Sequence, residues 1–133
     1  EIYGLLRQNS ILSRLAVDPV DDEATEGATL GFAAAGRAGG LLNAAFAGRT
    51  EVLAGRMAPG CVGPYLSALL IGQEIAGATA LFGRPVRVQL VADGVMAQSY
   101  GAALAAAGLP FEITSPEAAF IAGVGLLAGG LAR

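Results

Sequence analysis

The last third of this chain constrains its fold most, because short β-branched runs alternate there with helical ones. Val86, Val88, Leu90 and Val91 read as a strand, bounded in front by Gly83-Arg84-Pro85. Asp93-Gly94 then turns into a helix carrying Met96, Tyr100 and Leu104, closed by Gly108 and Pro110. Phe111 to Thr114 is a second short strand. Ser115-Pro116-Glu117 supplies an N-cap hydroxyl, a proline at the first helical position and an acid in the first turn, opening a helix that reaches about Leu131. Strand, helix, strand, helix is a parallel α/β unit, whose crossover is expected to be right-handed. Two strands do not make a stable open sheet, so the remaining strands are expected upstream of Glu1. The opening Glu1-Ile2-Tyr3, already inside an amphipathic pattern and without a methionine, points the same way. Residues 1–133 therefore read as a single domain cut from a longer protein.

Upstream of that unit the patterning is helical. Ile2, Leu5, Leu6, Leu12 and Leu15 fall on one helical face, ending near Val17 before Asp18-Pro19. Asp18, Asp21, Asp22, Glu23 and Glu26 follow. They lack the ligand spacing and glycine of a calcium loop, so a solvated loop is expected. Leu30 to about Leu53 is helical again, with Leu42, Phe46 and Arg49 at i, i+4 and i+7 and a joint at Gly39-Gly40. Met57 to Gly63 reads as a loop and Pro64 as a first helical residue. The helix from there to about Phe82 is apolar nearly all round, which predicts burial on most sides.

Composition removes whole classes of chemistry. There is no histidine, so imidazole-based metal sites and imidazole acid–base catalysis are excluded. A lone cysteine, Cys61, excludes a disulfide framework and a Cys-rich zinc site, and fits a reducing, cytoplasmic setting. Eight cations, all arginine and scattered, against 11 acids leave a net charge of -3, so no nucleic-acid partner is expected. The longest unbroken apolar run, Ala118 to Ala132, is shorter than the roughly 20 residues of a spanning helix and is rich in Gly and Ala. No basic leader precedes it at the N-terminus, so neither a membrane span nor a signal peptide is expected.

Ligands of open α/β sheets sit beyond the carboxyl ends of the strands, which here means Ala92-Asp93-Gly94. The glycine permits close backbone approach. The helix start behind it offers amide donors to an anion or a ribose hydroxyl. A plain turn with Asp93 as N-cap explains the same residues. Neither GxGxxG nor GxxxxGK[ST] is present, so no Rossmann site or P-loop is supported. Arg49 ends an apolar stripe, and its guanidinium must reach solvent, a carboxylate or a bound anion. Cys61 sits in a Gly/Pro loop with nothing to activate it as a nucleophile.

Several segments, taken in order, resemble the C-terminal half of the 2-dehydro-3-deoxygalactonokinases. They are Glu1-Ile2-Tyr3-Gly4-Leu5-Leu6 with Ser10-Ile11-Leu12, then Gly39-Gly40-Leu41-Leu42 with Phe46 and Arg49-Thr50. Tyr65-Leu66-Ser67-Ala68-Leu69-Leu70-Ile71-Gly72-Gln73-Glu74-Ile75 follows, the most specific of them, and then Val88-Gln89-Leu90-Val91-Ala92 with Tyr100. The resemblance spans nearly the whole chain. It implies an ATP- and Mg²⁺-dependent kinase of 2-dehydro-3-deoxy-D-galactonate, a 2-keto-3-deoxy sugar acid, with the actin-like, ribonuclease-H-like two-lobed fold. This chain would be the helix-rich α/β C-terminal lobe, its sheet incomplete, working with the N-terminal lobe of the same protein. A homo-oligomer is compatible with it.

The resemblance further implies that Asp93 and Gly94 belong to the adenosine pocket, with Arg49 a candidate for phosphate or substrate. Where the wider superfamily often carries paired glycines, this chain reads Ala92-Asp93-Gly94. The phosphate-binding segments would precede Glu1. No residue here stands out as a carboxylate base, so the base is expected in the other lobe and no catalytic or metal-binding residue is assigned to this segment. The alternative from another class is a non-catalytic helical module that docks to a partner protein through its apolar helices.

Overall fold

The computed structural model describes residues 1–131, which fall into two compact units: Glu1–Gly83 and the described part of Arg84–Arg133. The first unit is all helical. It contains α1 (Ile2–Asn9), a 3₁₀ turn over Ile11–Ser13, α2 (Glu23–Ala35), α3 (Gly40–Leu53), a second 3₁₀ turn over Pro59–Cys61, and α4 (Val62–Phe82). The second unit contains β1 (Val88–Val91), α5 (Gly94–Ala106), β2 (Phe111–Thr114) and α6 (Pro116–Leu131). The chain is thus helix-rich with one small sheet, compatible with the α/β class.

In the helical unit, α2 lies against α4 with almost no side chain between the backbones. Gly27, Gly31 and Ala35 recur every fourth residue along α2. A side chain at Gly27 would run into the Cys61 backbone. One at Gly31 would run into the Tyr65 carbonyl and pass 2.9 Å from the Ala68 Cβ. Gly72 returns the favour, since a Cβ there would lie 2.6 Å from that of Ala35. The core that this approach closes is built from Leu12, Ala34, Ala35, Ala44, Ala45, Met57, Cys61, Val62, Tyr65, Leu66 and Leu69.

Three boundaries in the helical unit differ from the sequence reading. The first helix stops at Asn9, well short of Val17, because Ser10 is extended (φ -116°, ψ 159°) and its hydroxyl competes for the backbone. That hydroxyl donates to the Leu6 carbonyl at 2.7 Å and accepts from the Leu12 amide at 3.1 Å. Glu23 and Glu26 lie in the first turn of α2 and not in a solvated loop. Acids there favour the positive helix end, and the Glu23 carboxylate accepts from the Val20 amide at 2.9 Å. α4 starts at Val62, two residues before Pro64, and is buried only through Ile71. Leu81 and Phe82 are 75% and 83% exposed, so burial on most sides holds for its first half alone.

Pro59–Phe82 is also long and apolar enough to cross a membrane by length and composition, a stretch the run-length reading passed over. Its first half is packed in the helical unit, where the Tyr65 hydroxyl donates to the buried Ala44 carbonyl at 2.6 Å.

The second unit follows the expected order closely. β1 and β2 are parallel, with Val88 opposite Phe111 and Val91 opposite Thr114. β1 begins at Val88; Val86, placed in the strand from sequence, lies outside it and is 94% exposed. α5 packs on the face carrying Phe111 and Ile113, where Gly101 lets it come close: a Cβ at Gly101 would meet the Phe111 ring at 3.4 Å. Gly108, at φ +64°, ends that helix in the left-handed conformation that glycine adopts without strain.

A strand-to-helix turn as the candidate functional site

The register of the two strands sets the geometry of the sheet's carboxyl edge. With Val91 level with Thr114, and the Ala92 amide donating to the Thr114 carbonyl at 3.2 Å, both strands end together. The turn into α5 and the turn into α6 therefore leave the same edge. The two helix starts are finished differently. At α6 the Ser115 hydroxyl accepts from the Ala118 amide at 3.2 Å and the Ser115 carbonyl from the Ala119 amide at 3.0 Å. At α5 the N-cap residue Asp93 is extended (φ -135°, ψ 176°). Its carbonyl accepts from the Ala97 amide at 3.1 Å, but its carboxylate makes no capping bond.

An N-cap aspartate ordinarily turns its side chain onto a first-turn amide. Here the position is used and the side chain is not, so both the carboxylate and the first-turn donors are left without each other. Gly94 beside it stands at φ +50°, exposed, with nothing within 4 Å of where a side chain would project. A group can thus approach this backbone closely from outside. Amide donors suit a polar or anionic oxygen, and an adjacent free carboxylate suits a pair of hydroxyl donors such as a ribose diol. α5 is buried toward its far end, at Gly101, Ala103 and Leu104, while its start at the turn is exposed.

Arg49 belongs to the helical unit, away in sequence and unit from Asp93 and Gly94, which are neighbours. Its guanidinium donates to the Ile11 carbonyl at 2.7 Å, tying α3 to the 3₁₀ turn after α1. That partner is a backbone carbonyl, which the choice between solvent, carboxylate and anion had not included. Cys61 is fully buried. Burial pushes its thiol up, and the nearby Glu26 and Glu23 carboxylates add to this, the opposite of what a nucleophile requires. Among the described residues no three His, Cys, Asp or Glu side chains converge to hold a metal ion.

Thr114 and Ser115 stand level with the Asp93 turn, and the sequence reading did not place them there. The signal is the strand register, which no local residue pattern specifies when the strands are only four residues long.

Comparison with curated proteins returns no match. Comparison with family models returns 2-keto-3-deoxy-galactonokinase, matched over residues 1–127. That match takes in both units, the uncapped turn at Asp93-Gly94 and all but the end of α6. On that coverage the chain belongs to the 2-keto-3-deoxy-galactonokinase family.

Proposed function

We propose that this chain is the nucleotide-binding lobe of an ATP-dependent kinase that phosphorylates 2-dehydro-3-deoxy-D-galactonate. In this reading it is the C-terminal lobe of an actin-like fold. Its two parallel strands are part of a larger sheet, and the partner lobe supplies the phosphate-binding turns and the base. Membership of a kinase family supports transfer of a phosphoryl group to this sugar acid. The observation that carries the nucleotide role is the turn at Asp93-Gly94: an open backbone at positive φ beside a carboxylate that does not cap its own helix.

The residues present fit a nucleoside at that turn. The Asp93 carboxylate would accept from the ribose hydroxyls, and the Gly94 backbone would let the sugar or base lie against the start of α5. ATP supplies the phosphoryl group when bound. What this chain contributes is position: two parallel strands and α5 hold the turn so that the nucleotide is presented in one orientation. Mg²⁺ commonly keeps several waters and binds through few carboxylates plus phosphates. The described residues gather no three carboxylates or other ligands that could cage it.

Because Asp93 faces a ribose in this account, it is not the base that takes the proton from the sugar hydroxyl. Residues 1–133 alone are therefore expected to bind nucleotide and turn nothing over. The function is tested by ATP consumption in the complete enzyme with Mg²⁺, offering 2-dehydro-3-deoxy-D-galactonate beside simple hexoses. Consumption with the keto-deoxy acid is expected. Robust consumption with hexoses and none with the acid would remove the substrate assignment.

A further inference from the structure

Helix α3 is built inside out. Its core side carries the small residues Ala44, Ala45 and Gly48, against which the Tyr65 ring packs. Its large apolar side chains lie outside: Leu42, Phe46 and Leu53 are 75%, 52% and 65% exposed. With Arg49 they stand at i, i+4, i+7 and i+11, a single stripe along the outer face. The bond from Arg49 to the Ile11 carbonyl holds the cation in place within that stripe. A helix that buries its small face and exposes its large one forgoes apolar burial within its own fold. A contiguous exposed stripe of this kind marks an interaction surface.

Charge on the helical unit is sorted by segment. Residues 17–36 hold five carboxylates, Asp18, Asp21, Asp22, Glu23 and Glu26, and no cation. Residues 37–56 hold three arginines, Arg37, Arg49 and Arg56, and one carboxylate, Glu51. Among the described residues the ion pairs of this unit are Arg7 with Asp18 and Arg56 with Glu51, so none joins the acidic segment to the basic one. The acidic segment also opens with exposed apolar groups, since Val17 and Val20 flank Asp18-Pro19 and precede Asp21-Asp22. One copy therefore shows an apolar stripe with cations and, separately, an apolar loop with carboxylates. Each offers what the other lacks.

We infer that this chain pairs with a second copy of itself, the outer stripe of α3 in one copy seating on the 17–22 loop of the other. A twofold axis exchanges the two contacts, so stripe and loop are each used once per copy and the assembly closes as a dimer. Leu42, Phe46 and Leu53 meet Val17 and Val20 at the centre. The arginines of residues 37–56 meet the loop carboxylates at the rim, where charge sets register and partner choice. A different protein would have to supply an acidic, apolar segment, and this chain already carries one. Both surfaces lie in the helical unit and neither includes Asp93 or Gly94, so the inference does not depend on the kinase reading.

The test is sedimentation velocity on the full chain over a concentration series, at low and at high salt. A dimer is expected, with a dissociation constant that rises with salt as the rim charges are screened. Leu42→Asp should raise that constant tenfold or more, and Asp21→Asn severalfold. Both variants should fold, because Leu42 is exposed and asparagine tolerates the positive φ at Asp21; circular dichroism checks this. Cross-linking then reads the contact itself. A Leu42→Cys protein mixed with a Val20→Cys protein should give a mixed disulfide between copies, the native Cys61 being buried. Thr29→Cys, exposed on α2 outside the loop, should not replace Val20→Cys in that reaction. A monomer at every concentration, a dimer unaffected by folded Leu42→Asp, or a mixed disulfide formed equally well with Thr29→Cys would overturn the inference. No catalysis is read, so the kinase reading stands or falls separately.

Discussion

Tyr65 joins a polar and a steric role in the helical unit. Its hydroxyl satisfies the buried Ala44 carbonyl, and its ring fills the space left by Gly48, where a Cβ would come to 2.5 Å from the ring. Tyr65→Phe keeps the ring and leaves the carbonyl without its donor, so a loss of about 1–3 kcal/mol is expected in urea unfolding. Cys61 gives a second expectation. Burial first, then the Glu26 and Glu23 charges, raise its thiol in the folded state, so the neutral form is the one that the fold favours. The corresponding stability is fully present below the unfolded thiol value of about 8.5 and is lost as pH rises through the higher folded value. Burial raises Tyr65 as well, so the Cys61 share is isolated by comparing pH dependence with Cys61→Ala. The variant should lose less stability than the parent between about pH 8 and 10. Equal losses in the two would refute the assignment. Native Cys61 should also react slowly with alkylating reagents, reaching the free-thiol rate only on unfolding.

Among elements, the pairing of α2 with α4 decides the helical unit. Gly31 allows the two backbones to meet, and Gly31→Val would press a branched side chain against the Tyr65 carbonyl and the Ala68 Cβ. Overpacking of this kind costs roughly 1–3 kcal/mol, and more where backbone must move, so a clear fall in the thermal midpoint is expected. Gly77 in α4 has open space around it, and Gly77→Ala should be neutral or mildly stabilising through helix propensity alone.

The same elements show what sequence could and could not say. The second unit was legible because its punctuation is chemical: Asp93-Gly94, Gly108 and Ser115-Pro116 each force a start or a stop. α2 began earlier than its sequence suggested because it packs with glycine and alanine, leaving no stripe of large apolar residues to read before Leu30. The end of α1 was missed because Ser10 halts the helix through its side chain, which a hydrophobic period does not register. The strand-to-helix turn at Asp93-Gly94 was legible from its residue types. The free carboxylate of Asp93 and the levelling of Thr114 with Val91 were not, because both depend on how side chains and strands settle. Arg49 pointed to a real interaction, but its acceptor lies on a distant carbonyl that no spacing marks.

At the scale of the whole molecule, the family match carries kinase chemistry, and the sheet-edge turn carries the proposed nucleotide role. The described residues leave large apolar side chains exposed on α6, among them Phe120, Ile121, Leu126 and Leu127. Apolar side chains gathered on one helix in this way are suited to burial against another surface.

The central claim is that ATP lies against the turn at Asp93-Gly94. The most direct measurement is the KM for ATP in the complete enzyme carrying substitutions at Gly94, with folding followed by circular dichroism. Gly94→Val adds a branched side chain at φ +50°, where strain of order 1–3 kcal/mol is expected. Gly94→Asn adds a side chain that tolerates this conformation, so it separates blocking from strain. Both should raise the KM for ATP tenfold or more while changing the KM for the sugar acid much less. A folded Gly94→Asn enzyme with the KM for ATP of the parent would contradict the account and take this turn out of the nucleotide site.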